Sequence, residues 1–227
     1  MTIFYHIAVM HHWREIVTEQ FRVLARFGVT DLRVGFSGHV NEWWFAHRVA
    51  ARFGLAPTLL LSGSGNHNFE FPTLERLQGY CAANPDARVG YLHTKGASKP
   101  GDWTATMWRW FMQAHLFQPE AAALLEQADW VAPVASAAPL LHPCGNFWFA
   151  KASHINRLAN LQDFRRAFVL NFGYAIPKWW GERHAAEMWL GSVAGEVAQV
   201  SPGCNISSRD FWVTNPAIQE FVTLNGI

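Results

Sequence analysis

Two polar side chains that could bind a charged ligand follow an apolar run near the middle of the chain. His93 and Lys95 come at the end of residues 87–92, which read as a buried strand. Lysine offers a cation, histidine offers a donor or an acceptor, and Gly96 allows a turn with close backbone approach. The pattern is typical of a ligand site at a strand end, and the alternative is a strand that runs into an ordinary polar turn.

The surrounding sequence predicts the elements that position this cluster. Apolar runs and helical periodicities alternate from the first residues to His93, which is the order of a mainly parallel sheet flanked by helices. Four strands are predicted to end near Met10, Phe36, Leu61 and His93. Ligands bind at the carboxyl ends of strands in open α/β sheets, so His93 and Lys95 are expected at a pocket.

The rest of the chain is predicted to continue with helices and short strands. Asp102 is expected to cap a helix through Phe117, and Pro72 and Pro119 are expected in first turns of helices. Gly28 is placed where a helix ends. The remaining predictions are strands over 130–134, 146–150 and 197–201, and helices over 153–161 and 181–194.

A second candidate group lies on the predicted strand that follows Gly145. Strand alternation places Asn146 and Trp148 on one side, and Phe147 and Phe149 on the other. An amide can hydrogen-bond sugar hydroxyls and an indole can stack on a sugar ring. The alternative is that both sides of this strand are buried.

Together, "YLHTKGAS" and "GNFWFAKASHI" resemble motifs of a family of bacterial glycosyltransferase-like proteins, in which "YLHTKG" and "GNFWWA" occur in this order. The segments "IFYHIAVMHHW", "FEFPTL" and "ERHAAEMWLGS" also resemble that family, so the likeness runs from Ile3 to about Ser192. It implies a GT-A-like, Rossmann-like α/β fold. It also implies transfer of a sugar from a nucleotide-sugar donor to a glycan or other hydroxyl acceptor.

The resemblance implies roles for several residues. Tyr5 and His6 lie on the first strand, where GT-A proteins approach the nucleotide, and both are predicted to contact the donor, as are His93, Lys95, Asn146 and Trp148. Glu70 has two interpretations. It interacts with the helix dipole, or it hydrogen-bonds a ribose or sugar hydroxyl.

The candidate catalytic bases are His184 and Glu187. They are three residues apart and share one face of the predicted helix, and transfer by inversion needs a carboxylate or an imidazole to accept the proton of the acceptor hydroxyl. Glu187 also matches a glutamate that recurs in the resembling sequences. The alternative is a solvated helix face with a local Arg/Glu pair.

The Asp-x-Asp motif that commonly holds a divalent metal in GT-A enzymes is absent. Two solutions remain for the leaving diphosphate. Lys95, together with Arg109, neutralises it directly, which we favour. Otherwise Mn²⁺ or Mg²⁺ binds through His93 and carboxylates distant in sequence. No metal is therefore predicted as a requirement.

Composition narrows the remaining classes. The 227 residues carry a formal charge of +1, half are apolar, and 15% are charged, so we expect one domain over 1–227 and no nucleic-acid partner. Three scattered cysteines and the absence of a signal peptide or a long apolar run predict a reduced, cytoplasmic protein with no transmembrane segment. Two functional alternatives stay open. One is a non-catalytic carbohydrate- or nucleotide-binding module. The other is an assembly partner in a glycan-synthesis machine, which the 12 tryptophans favour.

Overall fold

The computed structural model describes residues 1–63, 69–172, 182–201 and 214–226. The strands in these ranges are β1 (Thr2–Ala8), β2 (Asp31–Ser37), β3 (Thr58–Gly63), β4 (Arg88–His93), β5 (Trp130–Ala132), β6 (Ala135–Ser136), β7 (His142–Pro143), β8 (Trp148–Lys151) and β9 (Val197–Gln199). Seven of them form one sheet in the order β3-β2-β1-β4-β8-β5-β9, and β6 pairs with β7.

The four predicted N-terminal strands lie side by side. β1 pairs in parallel with β2 and β4, and β2 pairs in parallel with β3. β8 is inserted antiparallel between β4 and β5, while β9 returns parallel to β5. Helices cover both faces of this sheet. The predicted fold class, an α/β protein with a mainly parallel sheet flanked by helices, is therefore confirmed.

The helices of the described residues are α1 (Trp13–Arg26), α2 (Val40–Arg52), α3 (Phe71–Ala83), α4 (Trp103–Leu116), α5 (Pro119–Ala123), α6 (Ala152–Ile155), α7 (Leu161–Phe172), α8 (Ala185–Met188) and α9 (Pro216–Asn225). Short 3₁₀ turns cover Leu124–Glu126 and Glu182–His184. Within the described ranges, no helix combines the length and apolar character needed to cross a membrane.

Local signals in the sequence explain several helix ends. The Asp102 carboxylate accepts a hydrogen bond from the Ala105 amide at 3.1 Å, as a helix cap does, and Pro72 and Pro119 lie in first turns. Gly28 follows α1 with a φ of 79°, a left-handed conformation that glycine adopts without strain. These three predictions are confirmed.

The helix predicted over 181–194 is much shorter in the structure. A 3₁₀ turn and α8 cover residues 182–188, and residue 181 lies outside the described ranges. The chain turns at Gly191, whose backbone packs so closely against the Leu141 carbonyl that a Cβ atom would lie 2.0 Å from the oxygen. The helix predicted over 153–161 is also short, and α7 was not predicted.

Two apolar layers enclose the sheet, and strand side chains alternate between them. Tyr5 of β1 and Phe147 and Phe149 beside or within β8 point into the layer formed with α1 and α4. Phe4 and Trp148 point into the layer formed with α3, α6, α7 and α8. The predicted alternation along residues 146–149 is confirmed.

A close approach in this second layer gives a test of the packing. Gly35 lies beside His6 in the sheet, and a Cβ atom there would be 1.8 Å from Thr73 Oγ1. We expect Gly35→Ala to lower the free energy of unfolding by about 1–3 kcal/mol, because Thr73 must move out of its buried contact with His6. Urea unfolding followed by circular dichroism measures this change.

Gly79→Ala is the matched control for this substitution. Gly79 lies in α3, the helix that carries Thr73, and nothing lies within 4 Å of its added Cβ. Alanine in this exposed helix position should raise the free energy of unfolding by roughly 0.5–1 kcal/mol. Equal unfolding midpoints for Gly35→Ala and the parental protein would contradict the close packing of Gly35 against Thr73.

Candidate functional site

A polar cavity of about 200 Å³ opens at the carboxyl ends of β1 and β4. One wall is the turn after β4, and the opposite wall is the segment that leads into α8. Its ionisable lining residues are His6, Glu70, His93, Lys95, Lys99, Arg183, His184 and Glu187. Parallel strands bring their carboxyl ends to one edge, which explains why residues so distant in sequence meet here.

A larger cavity of about 700 Å³ lies elsewhere, between the ends of α1 and α4 and the helix α9. Its walls include the aromatic rings of Phe27, Phe117 and Phe221. None of the residues predicted to do chemistry lines it. The smaller cavity at the sheet edge is therefore the candidate functional site.

His93 and Glu70 share one proton at the base of the cavity. The Gly145 carbonyl can only accept, so His93 Nε2, at 3.2 Å, carries a hydrogen. The other ring nitrogen, Nδ1, lies 3.2 Å from Glu70 Oε1, and one of these two atoms holds the proton between them. Burial lowers the pKa of His93 to about 3, while burial raises the pKa of Glu70, and both shifts favour the proton on Glu70.

The second oxygen of Glu70 is also held by donors. Glu70 Oε2 accepts hydrogen bonds from the Tyr91 hydroxyl at 2.9 Å and from Asn146 Nδ2 at 2.6 Å. Asn146 Oδ1 accepts from the Trp148 indole at 2.8 Å, which fixes the direction of the amide. The carboxyl group of Glu70 is thus oriented before any ligand arrives.

Two strained residues flank this arrangement. Phe69 has a φ of 48° and Asn146 a φ of 58°, a left-handed conformation that non-glycine residues rarely adopt. Each of them lies at or next to one end of the Glu70–Asn146 hydrogen bond. Strained backbone persists only where its surroundings determine it, and it is concentrated at functional sites.

His6 forms another part of the cavity wall. It is 2% exposed, and its Nδ1 lies 2.8 Å from Thr73 Oγ1. Burial lowers the pKa of His6 to about 4, so the ring is neutral near pH 7. A neutral ring at this position can donate or accept one hydrogen bond to a ligand hydroxyl.

Lys95 and Glu187 face each other across the cavity, with 3.6 Å between Nζ and Oε1. Burial alone would raise the pKa of Glu187, but Lys95 and then His184, His93 and His142 together outweigh burial and lower it. Burial lowers the pKa of His184. Glu187 is therefore an ionised carboxylate and His184 a neutral imidazole near pH 7.

The structure gathers six of the nine predicted site residues around this one cavity. They are His6, Glu70, His93, Lys95, His184 and Glu187. Their predicted roles in donor binding and catalysis stay predictions.

The other three predicted residues lie behind the cavity. Tyr5 is fully buried and donates to Gln20 Oε1 at 2.6 Å on the opposite side of the sheet. Asn146 is fully buried, and Trp148 is 1% exposed and stacks on Tyr91 with 5.4 Å between ring centroids. The expected pair facing a sugar is therefore not met, because helices cover that side of β8. In this structure Asn146 and Trp148 hold Glu70 instead.

Arg109 also differs from its expected role. Arg109 is 4% exposed, and its guanidinium pairs with the Glu19 carboxylate at 2.9 Å. It cannot contact a diphosphate from that position. Lys99 and Arg183 line the cavity instead, and neither was predicted. Tyr91 was also missed, although its place two residues before His93 on a strand puts both on one side.

The residues around His93 do not fit the alternative metal site. Both ring nitrogens of His93 are already engaged, one by the Gly145 carbonyl and one by Glu70. Among the described residues, no three or more His, Cys, Asp and Glu side chains are grouped so that they could hold a metal ion.

Comparison with known proteins assigns the chain to a family. A family model described as "Domain of unknown function (DUF8361)" matches residues 4–213, and the chain therefore belongs to that family. This description names no activity, so the resemblance to bacterial glycosyltransferase-like proteins stays a prediction. No curated protein matches the chain in sequence.

Two similar crystal structures are those of glucosyl-3-phosphoglycerate synthase from Mycobacterium tuberculosis. One is in complex with phosphoglyceric acid, and the other with Mn²⁺, uridine-diphosphate-glucose and phosphoglyceric acid. Each is 11% identical, has a TM-score of 0.38, and aligns over 100% of this chain and 80% of its own. A likeness at this level carries no information about the donor, acceptor or metal of this chain.

The buried histidines predict how stability depends on pH. The unfolded chain protonates histidine near its ordinary pKa of 6.5, whereas folded His6 stays neutral until about pH 4. At this residue the unfolded state binds more protons between these values, so the contribution of His6 to the free energy of unfolding should fall as the pH falls from about 6.5 to 4. Urea unfolding at a series of pH values measures the slope.

His6→Gln isolates the contribution of this residue, because glutamine can still bond Thr73 but does not titrate. We expect the substitution to reduce the fall in the free energy of unfolding between about pH 6.5 and pH 4 by up to about 3 kcal/mol. His93 accounts for a further part, since burial also lowers its pKa. Identical slopes for His6→Gln and the parental protein would show that His6 is not a buried neutral ring.

Proposed function

We propose that this member of the DUF8361 family is a glycosyltransferase that moves a sugar from a nucleotide-sugar donor to a hydroxyl acceptor. One observation carries the proposal. A cation, Lys95, and an ionised carboxylate, Glu187, face each other across a cavity at the carboxyl edge of a parallel sheet. Sugar transfer needs both groups at one place, one for the leaving diphosphate and one for the proton of the acceptor.

Lys95 is the group that meets the diphosphate in this proposal. Its side chain is 25% exposed, and its ammonium can turn from Glu187 towards a ligand. Lys99 and Arg183 line the same cavity, so further cations lie near any phosphate bound by Lys95. Charge-assisted contacts of this kind stabilise the negative charge that develops as the diphosphate leaves.

Neutral hydrogen-bonding groups at the base of the cavity suit the hydroxyls of a ribose or a sugar. His6 presents an uncharged ring, and Glu70 and His93 share a proton. Their orientation is set by Thr73, Tyr91 and Asn146, which leaves little to reorganise when a ligand binds.

Glu187 is the proposed base. The oxygen of the acceptor hydroxyl bonds to the anomeric carbon while its proton passes to Glu187. The bond from that carbon to the diphosphate oxygen breaks, and its electron pair leaves with the diphosphate that Lys95 faces. When Lys95 turns to the diphosphate, the cation that lowers the pKa of Glu187 is neutralised, so the carboxylate becomes a stronger base.

A non-catalytic carbohydrate- or nucleotide-binding module is the second candidate. The burial of Asn146 and Trp148 favours it, because the expected sugar-facing pair is not at the surface of the cavity. Incubation with a panel of nucleotide-sugars, with and without Mn²⁺, separates the two candidates. Release of the nucleoside diphosphate identifies a transferase, and thermal stabilisation without release identifies a binding module.

The role of Lys95 can be tested by removing its charge. We expect Lys95→Ala to weaken the binding of the nucleotide-sugar by about 1–3 kcal/mol, on the scale of a lost charge-assisted contact. Lys95→Arg should rescue only in part, because a planar guanidinium differs in shape from an ammonium. Isothermal titration calorimetry gives the affinities.

Lys151→Ala is the matched control for Lys95→Ala, since Lys151 ends β8 and does not line the cavity. Its affinity for the donor should equal that of the parental protein. If Lys95→Ala also binds the donor with parental affinity, Lys95 does not face the diphosphate.

The role of Glu187 is tested by an uncharged substitute of similar size. Glu187→Gln should leave donor binding nearly intact and slow transfer by roughly a hundredfold or more, the scale of general base catalysis. Initial rates of nucleoside diphosphate release with an acceptor present measure the loss. His184→Ala is assayed beside it as the rival base.

Glu182→Gln is the control for a carboxylate in the same segment. Glu182 pairs with Arg165 at 2.6 Å and does not line the cavity, so this variant should keep the parental rate. A dead His184→Ala with an active Glu187→Gln would move the base to the histidine. Parental rates for both would exclude this segment from the chemistry.

A further inference from the structure

The turn that carries Lys95 is held from behind by a buried guanidinium. Arg109 of α4 donates through Nη1 to the Lys95 carbonyl at 3.1 Å. The same side chain donates through Nε and Nη2 to the two oxygens of Glu19, each at 2.9 Å. Because the guanidinium is planar and bound on two sides, its third contact fixes the position of the Lys95 backbone.

Glu19 is itself held by more than Arg109. The Trp110 indole donates to Glu19 Oε2 at 2.8 Å, and Gln113 Nε2 donates to Oε1 at 2.6 Å. Glu19 and Arg109 are 8% and 4% exposed. A rigid, desolvated pair therefore stands directly behind the cavity wall.

Gly96 shows that the turn is fitted around this pair. It has a φ of 87°, and a Cβ atom at this position would lie 3.3 Å from Arg109 Nη1. The next residue of α1, Gln20, donates to the His93 carbonyl at 3.0 Å. Adjacent residues of α1 thus hold both His93 and, through Arg109, Lys95.

A buried ion pair is a poor way to gain stability, since desolvation cancels most of the attraction between the charges. A pair that holds a ligand-binding turn has a different use, because it fixes the orientation of that turn. Lys95 has four rotatable side-chain bonds, and only its backbone can be fixed from outside the cavity. The contact from Arg109 is made at that backbone.

We propose that Arg109, clamped by Glu19, is a positioning residue that aims Lys95 at the phosphates of the donor. The inference rests on the proposed function, in which Lys95 meets the diphosphate. Arg109 itself touches no ligand. Loss of the Arg109 guanidinium should loosen the turn, so that the Lys95 ammonium reaches both Glu187 and a phosphate less often.

Arg109→Lys tests the proposal, because it keeps the charge opposite Glu19 but cannot also bond the Lys95 carbonyl in the same geometry. With inorganic pyrophosphate as the probe in calorimetry, we expect about tenfold weaker binding than in the parental protein. Gln113→Leu is the matched control, since it removes another donor to Glu19 without touching the turn. The affinity of Gln113→Leu for pyrophosphate should stay within about twofold of the parental value, even if its unfolding temperature falls as far as that of Arg109→Lys.

A second measurement needs no phosphate. Acetic anhydride labels lysine amines, and mass spectrometry gives the rate for Lys95 relative to Lys99 in the same molecule. Arg109→Lys should raise this ratio several-fold, because Lys95 leaves its ion pair with Glu187. Gln113→Leu should not change it. If Arg109→Lys does not fold, the Glu19→Gln/Arg109→Gln double variant removes both charges and serves in its place.

The two measurements separate this inference from the proposed function. A shifted labelling ratio in a protein that binds no pyrophosphate and releases no nucleotide would retain Arg109 as the positioner and reject the transferase. Parental affinity and an unchanged ratio in Arg109→Lys would overturn the inference. So would equal effects of Arg109→Lys and Gln113→Leu, since Arg109 would then act through general stability alone.

Discussion

A buried carboxyl group must find partners, and those of Glu70 come from two other parts of the chain. Tyr91 and His93 on β4 and Asn146 before β8 all bond it, and Trp148 bonds Asn146 in turn. Leaving such a group without its donors costs about 1–3 kcal/mol for each unmade bond. The start of α3, the edge of β4 and the turn before β8 are therefore tied to one point. The position of the cavity depends on that tie.

This constraint also explains which parts of the site could be predicted from local sequence patterns. The alternation of apolar strands and helices and the polar residues that end the run at His93 are local features, and they placed β1 to β4 and Lys95 correctly. His184 and Glu187 share a face in any helical turn, so the shortening of the helix to α8 did not separate them from the cavity.

The remaining features arise from contacts that no local pattern contains. Glu19 and Arg109 are 90 positions apart, and nothing in their flanking residues shows that they meet. The alternation along residues 146–149 was correct, but both sides of β8 are buried, and the helices that cover the side of Trp148 come from distant parts of the chain. Asn146 and Trp148 therefore moved from an expected ligand contact to the support of Glu70.

The charged residues that line the cavity differ in their surroundings from the charged residues behind its wall. Among the groups that line the cavity, His6 is neutral, and Lys95 and Glu187 are paired with each other. The fixed charges, Glu19 and Arg109, lie on the far side of the turn, where they orient the backbone without competing for the ligand. The ion pair within the cavity is looser at 3.6 Å and partly exposed, so an anionic ligand can exchange for one member of it. Under the proposed function that exchange orders the reaction. The donor must engage Lys95 before Glu187 becomes basic enough to take the proton of the acceptor.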